Sequence, residues 1–440
     1  MNISAYIARR VTASGERSFS RMIIRIAIAA VAVSLAVMIV STALMSGFKK
    51  EISTKIFGFW GHIHITDQAA SFSVLDNTNY PITSNQPFYP GLDTIGQRDY
   101  TYYRDIMGRE VEFSGRTKGG IRHIQVFATI PTLMRSETED GPEMEGIILK
   151  GLGQDFDWDS FQQYLKAGDP LVVSPDSMSN GIVISEVTAN RLQVEVGSRL
   201  ELNFLRSGSQ PLVRVLHVSG IYKTGLEEYD RQFALIDIQH IQRLLGWAPD
   251  QVGGFEVFLD NIDDVEAFAE YIHYEDNILP PHLYAESIRQ KESDLFNWLD
   301  IQDYNEIIIL TLMIIVAIIN MITVLLILIL ERTTMVGTLK ALGQSNWGIR
   351  KIFLYYAGYI MLFGLLWGNL IGLALCWLQD TFELIKLDEA SYYLSVAPVH
   401  VNWWTIFLLN IGTLAITILV LIIPSMLVSR IDPVKALRFK

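Results

Sequence analysis

The stretch IIILTLMIIVAIINMITVLLILIL (307–330), followed at once by ERTTMVGTLKALG (331–343), decides how the rest of the chain is read. The first part carries no charge and, at ~1.5 Å per helical residue, exceeds a hydrocarbon core of ~30 Å. In the second part Met335, Leu339 and Leu342 recur at i, i+4 and i+7 on one helical face. Gly343 is a natural helix stop. Another charge-free run, 352–379, follows. A short half-apolar helix is therefore expected just outside a membrane, in a loop too small to be a domain. Its apolar face is expected to have no neighbour in the chain to bury it. Periodicity alone leaves two readings open: a helix lying on headgroups, or a plug for a groove on another protein.

The 440 residues are half hydrophobic, with a mean hydropathy of +0.27, too apolar for an ordinary soluble protein of this size. Four charge-free runs long enough to span occur at 26–48, 307–330, 352–379 and 405–429. The first is too long for a cleavable signal peptide. Segments 1–25, 331–351 and 430–440 carry net +4, +3 and +3, whereas the whole chain carries −12, leaving −22 for everything else. The positive-inside rule puts the three basic segments in the cytoplasm, with both termini inside. The expected fold is a membrane protein of four transmembrane α-helices, with a large α+β extracytoplasmic domain between the first and second spans. Its expected layout is a cytoplasmic amphipathic segment 1–25, span 26–48, outer domain 49–303, span 304–330, cytoplasmic helix and loop 331–351, span 352–379, outer loop 380–404, span 405–429 and tail 430–440. The single cysteine, Cys376, permits no intrachain disulfide, so the outer domain must hold itself by its core. Its acidity argues against a nucleic-acid partner.

In the amphipathic segment Tyr6 and Phe19 are available as interfacial anchors. Small and hydroxylated residues of the first span (Ser34, Ser41, Thr42, Ser46, Gly47) suit either close helix approach or bonds to their own backbone. GHIHIT (61–66) alternates like a strand, placing His62 and His64 on one face, read as a solvated face and not a metal site. Residues 67–105 read as irregular or edge structure. From Gly181 strands and helices become clear: strands 181–185, 200–204, 212–222, 233–236 and 255–259, with helices 186–192, 237–245 and 263–273, giving small sheets covered by helices. Residues 301–306 join this domain to the second span with little slack. In the third span Gly364, Gly368 and Gly372 form a GxxxG stripe suited to helix packing. Trp403 and Trp404 suit a membrane interface, and Pro424 a kink near the end of the fourth span.

No GxxxxGK[ST], HExxH, GxSxG or CxxC occurs, and the spans carry no charges of the kind ion pathways use. Neither catalytic nor metal-binding residues are expected, and no cofactor in this chain. Four spans are few to enclose a pore, so a pair of chains, symmetric or pseudo-symmetric, is expected.

Five segments in order, MSGFKKEISTKIFG (45–58), GIVISEVTANRLQVEVGSRLEL (181–202), VSGIYKTGLEEYD (218–230), ERTTMVGTLKALG (331–343) and PSMLVSRIDPVKALRF (424–439), resemble the permease subunit of lipoprotein-releasing ABC transporters, within the wider class of MacB- and FtsX-like permeases. The resemblance covers the whole chain. It implies two permease chains with two ATPase subunits that bind ATP and Mg, and a lipoprotein substrate extracted from the inner membrane and passed to a periplasmic chaperone. It makes 331–343 a coupling helix that docks on the ATPase through Met335, Val336, Leu339, Lys340, Leu342 and Gly343. Met45, Phe48 and Ile307, at the outer ends of the first two spans, are expected near the substrate. The chaperone-recruiting hook found in one subunit type of the family falls here on Arg206–Pro211, which is short; this chain is not expected to hold the chaperone by itself. Two alternatives stay open: export of peptides or small amphiphiles in the manner of MacB, and FtsX-like signalling to a cell-wall hydrolase without transport.

Overall fold

The computed structural model describes residues 18–70, 79–105, 109–138, 141–204, 212–274, 278–388 and 392–430. Among them, four helices are long and apolar enough to cross a membrane: α1 (Ser18–Trp60), α6 (Ser293–Glu331), α8 (Asn346–Phe382) and α9 (Trp403–Ser425, continued by a 3₁₀ turn to Arg430). The other helices of six residues or more are α2 (Glu186–Leu192), α3 (Glu227–Gln232), α4 (Ile238–Leu245), α5 (Val265–Tyr274) and α7 (Thr333–Ala341). The expected residues 1–17, the hook segment and most of the C-terminal tail lie outside the described residues.

The chain forms two compact units. The first comprises residues 1–51, 298–386 and 396–440; the second, Ile52–Asn297 and Leu387–Ser395. The second unit is thus not the expected 49–303, and the 380–404 loop is not wholly separate, since its middle belongs to that unit. The spans also outrun the charge-free runs. Charges at Lys49, Lys50, Glu51 and Lys55 end the first run, yet the helix continues, because Ile52, Ile56, Phe57, Phe59 and Trp60 are buried at 0–2 % exposure in the second unit's core. A charge-free run measures the part that suits lipid; the helix is longer wherever protein replaces lipid as its apolar surroundings.

The second unit is built on one ten-stranded sheet, not several small ones. Its strands are β1 (Ile63–Asp67), β5 (Ile121–Thr138), β6 (Gly141–Leu152), β7 (Leu165–Gly168), β8 (Gly181–Ser185), β9 (Arg199–Phe204), β10 (Leu212–Tyr222), β11 (Phe233–Asp237), β13 (Gly254–Leu259) and β14 (Leu283–Ser287). They run in the order β14-β1-β13-β5-β6-β11-β8-β10-β7, with β9 pairing both β10 and β5. The β6–β11 and β8–β10 pairs are parallel. Two small ribbons stand apart, β2 (Ile82–Thr83) with β12 (Gln251–Val252), and β3 (Asp99–Asp105) with β4 (Glu110–Arg116). The strand–helix alternation from Gly181 onward follows the sequence closely. Ser185 caps α2 by accepting the Thr188 amide, and Asp237 caps α4 by accepting that of Gln239. Gln193 and Gly246 then end these helices in left-handed conformation.

In the first unit a shared core joins Ala27 and Val31 of α1, Met321 and Leu325 of α6, Phe353 and Ile360 of α8, and Leu421 beyond them. Pro424 lies inside α9, two residues before the helix gives way to its 3₁₀ turn.

Candidate functional site

Helix α7 folds back on the ends of the spans. Val336 is fully buried, and Met335 and Leu339 are half-buried against the core that contains Met321, Leu325, Phe353 and Val428. Lys340 Nζ donates to Ser429 O at 3.2 Å, and the Arg350 guanidinium to Ser429 Oγ. The expectation of an apolar face with no neighbour in the chain is therefore corrected for Met335, Val336 and Leu339. A loop this short cannot carry the helix away from the span ends, whose apolar side chains need a cover. What stays outside is Leu342, 78 % exposed, beside Gly343 at φ +86° and half-exposed Trp347. Thr334 and Thr338 are exposed on the helix itself.

The glycine stripe meets span 1 of the same chain. A Cβ at Gly364 would stand 2.7 Å from Val31 Cβ, at Gly368 2.8 Å from Leu35 Cβ, and at Gly372 3.1 Å from Ile39 Cβ. Val31, Leu35 and Ile39 repeat the spacing of the glycines, so ridge and groove match over two turns. The structure adds a polar clasp not singled out from the sequence. Asn369 Nδ2 donates to Asn410 Oδ1 at 2.7 Å, Asn410 Nδ2 to Asn369 Oδ1 at 3.0 Å, and each amide also reaches its own i−4 carbonyl. One asparagine in each of two charge-free runs was the available signal.

At the other end of span 1, Ser46 Oγ lies 2.8 Å from both Thr42 O and His400 O, so it bonds its own backbone, as one reading had it, and also the segment that precedes the last span. The His400 amide donates to Ala43 O at 2.9 Å. Met45 and Phe48 are half-buried, with the Phe48 ring 5.7 Å from that of Trp298, while Ile307 is 58 % exposed. Lys49 Nζ pairs with Asp300 and Asp303 at 2.9 and 2.7 Å. Phe48 is thus brought against the start of α6, and Ile307 is turned away from the unit's core.

His62 and His64 are not on a solvated face; they are 6 % and 2 % exposed. Strand β1 is covered on both sides, which alternation cannot reveal. Among the described residues no group of three or more His, Cys, Asp and Glu could hold a metal ion. The His62 ring stacks on Phe57 at 4.7 Å and its Nδ1 accepts the Leu259 amide; burial lowers its pKa to about 3. His64 Nε2 donates to Trp60 O at 2.8 Å, and burial holds its pKa well below the usual value. Beside it Lys150 Nζ lies 2.7 Å from Glu256 Oε1, both side chains at most 1 % exposed, and Gln125 donates to the other Glu256 oxygen. Burial pulls Lys150 down and pushes Glu256 up, each opposed by the other's charge.

Four membrane-length helices, a sheet domain between the first two and a short helix between the second and third define a class: multi-pass membrane proteins with a large extracytoplasmic domain. The chain belongs to the family of the MacB-like periplasmic core domain, whose model matches residues 26–273, and the FtsX-like permease C-terminal model matches 307–433. It is accordingly a multi-pass inner-membrane protein. It is similar to the lipoprotein-releasing system transmembrane protein LolC of Xylella fastidiosa (strain Temecula1 / ATCC 700964), at 23 % identity over 98 % of this chain and 97 % of that one. LolC of Neisseria meningitidis serogroup B is 23 % identical over the whole of both chains, and LolE of Haemophilus influenzae 21 % over 92 % of each. The extracellular domain of the noncanonical ABC-type transporter YknZ from Gram-positive bacteria aligns at 14 % identity over 38 % of this chain and 81 % of that one, with a TM-score of 0.26.

Proposed function

We propose that this chain is the membrane subunit of an ABC transporter that releases lipoproteins from the inner membrane. Two such chains, or one with a related partner, stand with a pair of separate ATPase subunits, which bind ATP and Mg. Helix α7 lies in the cytoplasm with both termini. When the ATPases close on ATP they push α7, the spans shift, and the periplasmic domain lifts a lipoprotein toward a periplasmic chaperone held by the partner. Met45, Phe48 and Ile307 flank the lipid-modified end of the substrate.

The observation that carries this reading is Leu342. In a chain similar end to end to lipoprotein-releasing system proteins, α7 is anchored by Met335, Val336, Leu339 and Lys340 yet presents a 78 % exposed leucine beside Gly343. An anchored helix passes a push on to the spans; an exposed leucine at its end gives the ATPase something to grip. Burying that side chain in a groove is worth roughly 1.5–3 kcal/mol, or about ten- to a hundredfold in affinity. Leu342→Glu should therefore leave insertion intact, lower ATPase copurification by about that factor, and abolish release of radiolabelled lipoprotein from reconstituted vesicles. Thr338→Glu, exposed on the same helix, is the control. Wild-type binding and release by Leu342→Glu would refute the docking; wild-type vesicles that hydrolyse ATP without releasing lipoprotein would refute the substrate.

A further inference from the structure

We propose that Lys150 is a positioning residue: with Glu256 and His64 it latches the last turn of α1 onto the ten-stranded sheet, and movement of the first span reaches the outer domain through that latch. The second clause rests on the function proposed above; the latch itself rests on geometry.

A helix ends with carbonyls that have no partner within it. At the end of α1 three of them find partners. Phe57 O accepts the Gly61 amide at 2.9 Å, Phe59 O accepts Lys150 Nζ at 2.6 Å, and Trp60 O accepts His64 Nε2 at 2.8 Å. The Lys150 ammonium thus sits at the negative end of the helix dipole. It also lies over the Phe59 and Trp60 rings, 4.8 and 4.6 Å from their centroids. Gly61, at φ +73°, lets the chain turn immediately, and a Cβ there would meet Val257 O at 3.2 Å.

The residues that grip the helix come from four adjacent strands in the order β1-β13-β5-β6: His64, Glu256, Gln125 and Lys150. His64 and Gln125 each face Glu256 directly across their ladders. Lys291 approaches His64 Nδ1 at 3.4 Å from the other side. The grip therefore spreads over the middle of the sheet and not over one loop.

Stability alone does not call for these charges. Ile52, Ile56, Phe57, Phe59 and Trp60 already bury the helix end at 0–2 % exposure. Replacing a buried ion pair by apolar residues is often neutral or stabilising. What a charge pair adds is direction: it holds the Phe59 carbonyl at one place on the sheet, where an apolar contact would let the helix end rotate or slide.

The test uses the full chain assembled with its ATPase in vesicles. The double variant Lys150→Met, Glu256→Leu removes both charges and leaves neither buried alone. In a Cys376→Ser background, spin labels at Thr54→Cys, exposed on the last turns of α1, and Val172→Cys, 80 % exposed, report the distance between helix end and sheet domain. The expected result is a broadened distance distribution with unchanged insertion and ATP hydrolysis, and release per ATP lower by about fivefold or more, the low end of ordinary coupling between sites. An unchanged distribution overturns the latch whatever transport does. A broadened distribution with normal release per ATP overturns its role in transmission. If the double variant does not insert, Lys150→Met alone, which removes the bond to Phe59 O and leaves Glu256 accepting from Gln125, carries the same two measurements. Failure of the wild-type complex to release lipoprotein counts against the function, and the labels still judge the latch.

Discussion

Gly368→Leu is the sharpest test of how the spans pack. The first new atom, Cβ, would stand 2.8 Å from Leu35 Cβ and 2.9 Å from Ala32 O, closer than real Cβ contacts come, and both neighbours belong to the backbone or its root. Neither can swing aside as a flexible tip would, so α1 and α8 must part. Parting them also loosens Leu35 and Leu365, which are 0 % and 6 % exposed. Overpacking of this kind costs roughly 1–3 kcal/mol; at about 2–4 °C per kcal/mol for a unit of this size, the midpoint of thermal unfolding should fall by roughly 2–12 °C. The effect belongs to the chain itself, because the stripe is filled by span 1 of the same chain. The assay is the thermal midpoint of the purified permease in detergent, beside Gly358→Leu on the same helix, where a Cβ meets nothing within 4 Å. Equal midpoints for the two variants would refute the packing argument.

Three further outcomes follow from the same geometry. Asn369→Leu strands the Asn410 amide in an apolar setting and should cost roughly 0.6–1.7 kcal/mol, while the double change Asn369→Leu, Asn410→Leu should recover most of it; a double variant less stable than the single one would contradict the clasp. His62 is held neutral at a pKa near 3, below the 6.5 of an unfolded histidine. The unfolded chain therefore takes up the proton first, and the histidine's contribution, full above pH 6.5, is lost as pH falls toward 3 by about 1.4 kcal/mol per unit; denaturant midpoints of His62→Asn should fall less steeply with acid than wild type, and parallel profiles would disprove this. For topology, an impermeant thiol reagent should label Ser71→Cys and Ser209→Cys in intact spheroplasts but not Ser345→Cys; labelling at 345 without lysis overturns the orientation.

Where sequence and structure agree, the controlling physics is local. Charge-free length found all four spans, and the strands and helices expected between 181 and 273 were placed to within two residues, though α3 (Glu227–Gln232) was not read, since caps such as Ser185 and Asp237 and the stop at Gly246 lie in the elements they bound. The glycine stripe was visible as spacing, but its partner was not: nothing in 364–372 says that Val31, Leu35 and Ile39 fill it. The long hairpin β5–β6 escaped because its outer half is partly exposed and mixed in polarity, so it lacks the apolar run that marked the later strands.

The larger miss was the buried polar row, and the rule that caused it is identifiable. Alternation assigns polar side chains to solvent only if one face of the strand is wet. In β1 both faces are covered, so His64 was read outward and lies inward. The better signal was the charge that should not be there: Lys150 within IILKGL (147–152) and Glu256 within GFEVFL (254–259), each the one charge in an otherwise apolar run. A lone charge in such a run must be paired, and two such runs with opposite charges are a pairing waiting for its register. The third signal lay in α1, where Ile52, Ile56, Phe59 and Trp60 keep helical spacing past the charges that ended the span. Taken together, these require a long helix whose end is received by a charged strand pair; what the sequence could not supply is that both strands lie in the same sheet, because the order β13-β5-β6 depends on the β13–β5 pairing, between residues more than a hundred apart.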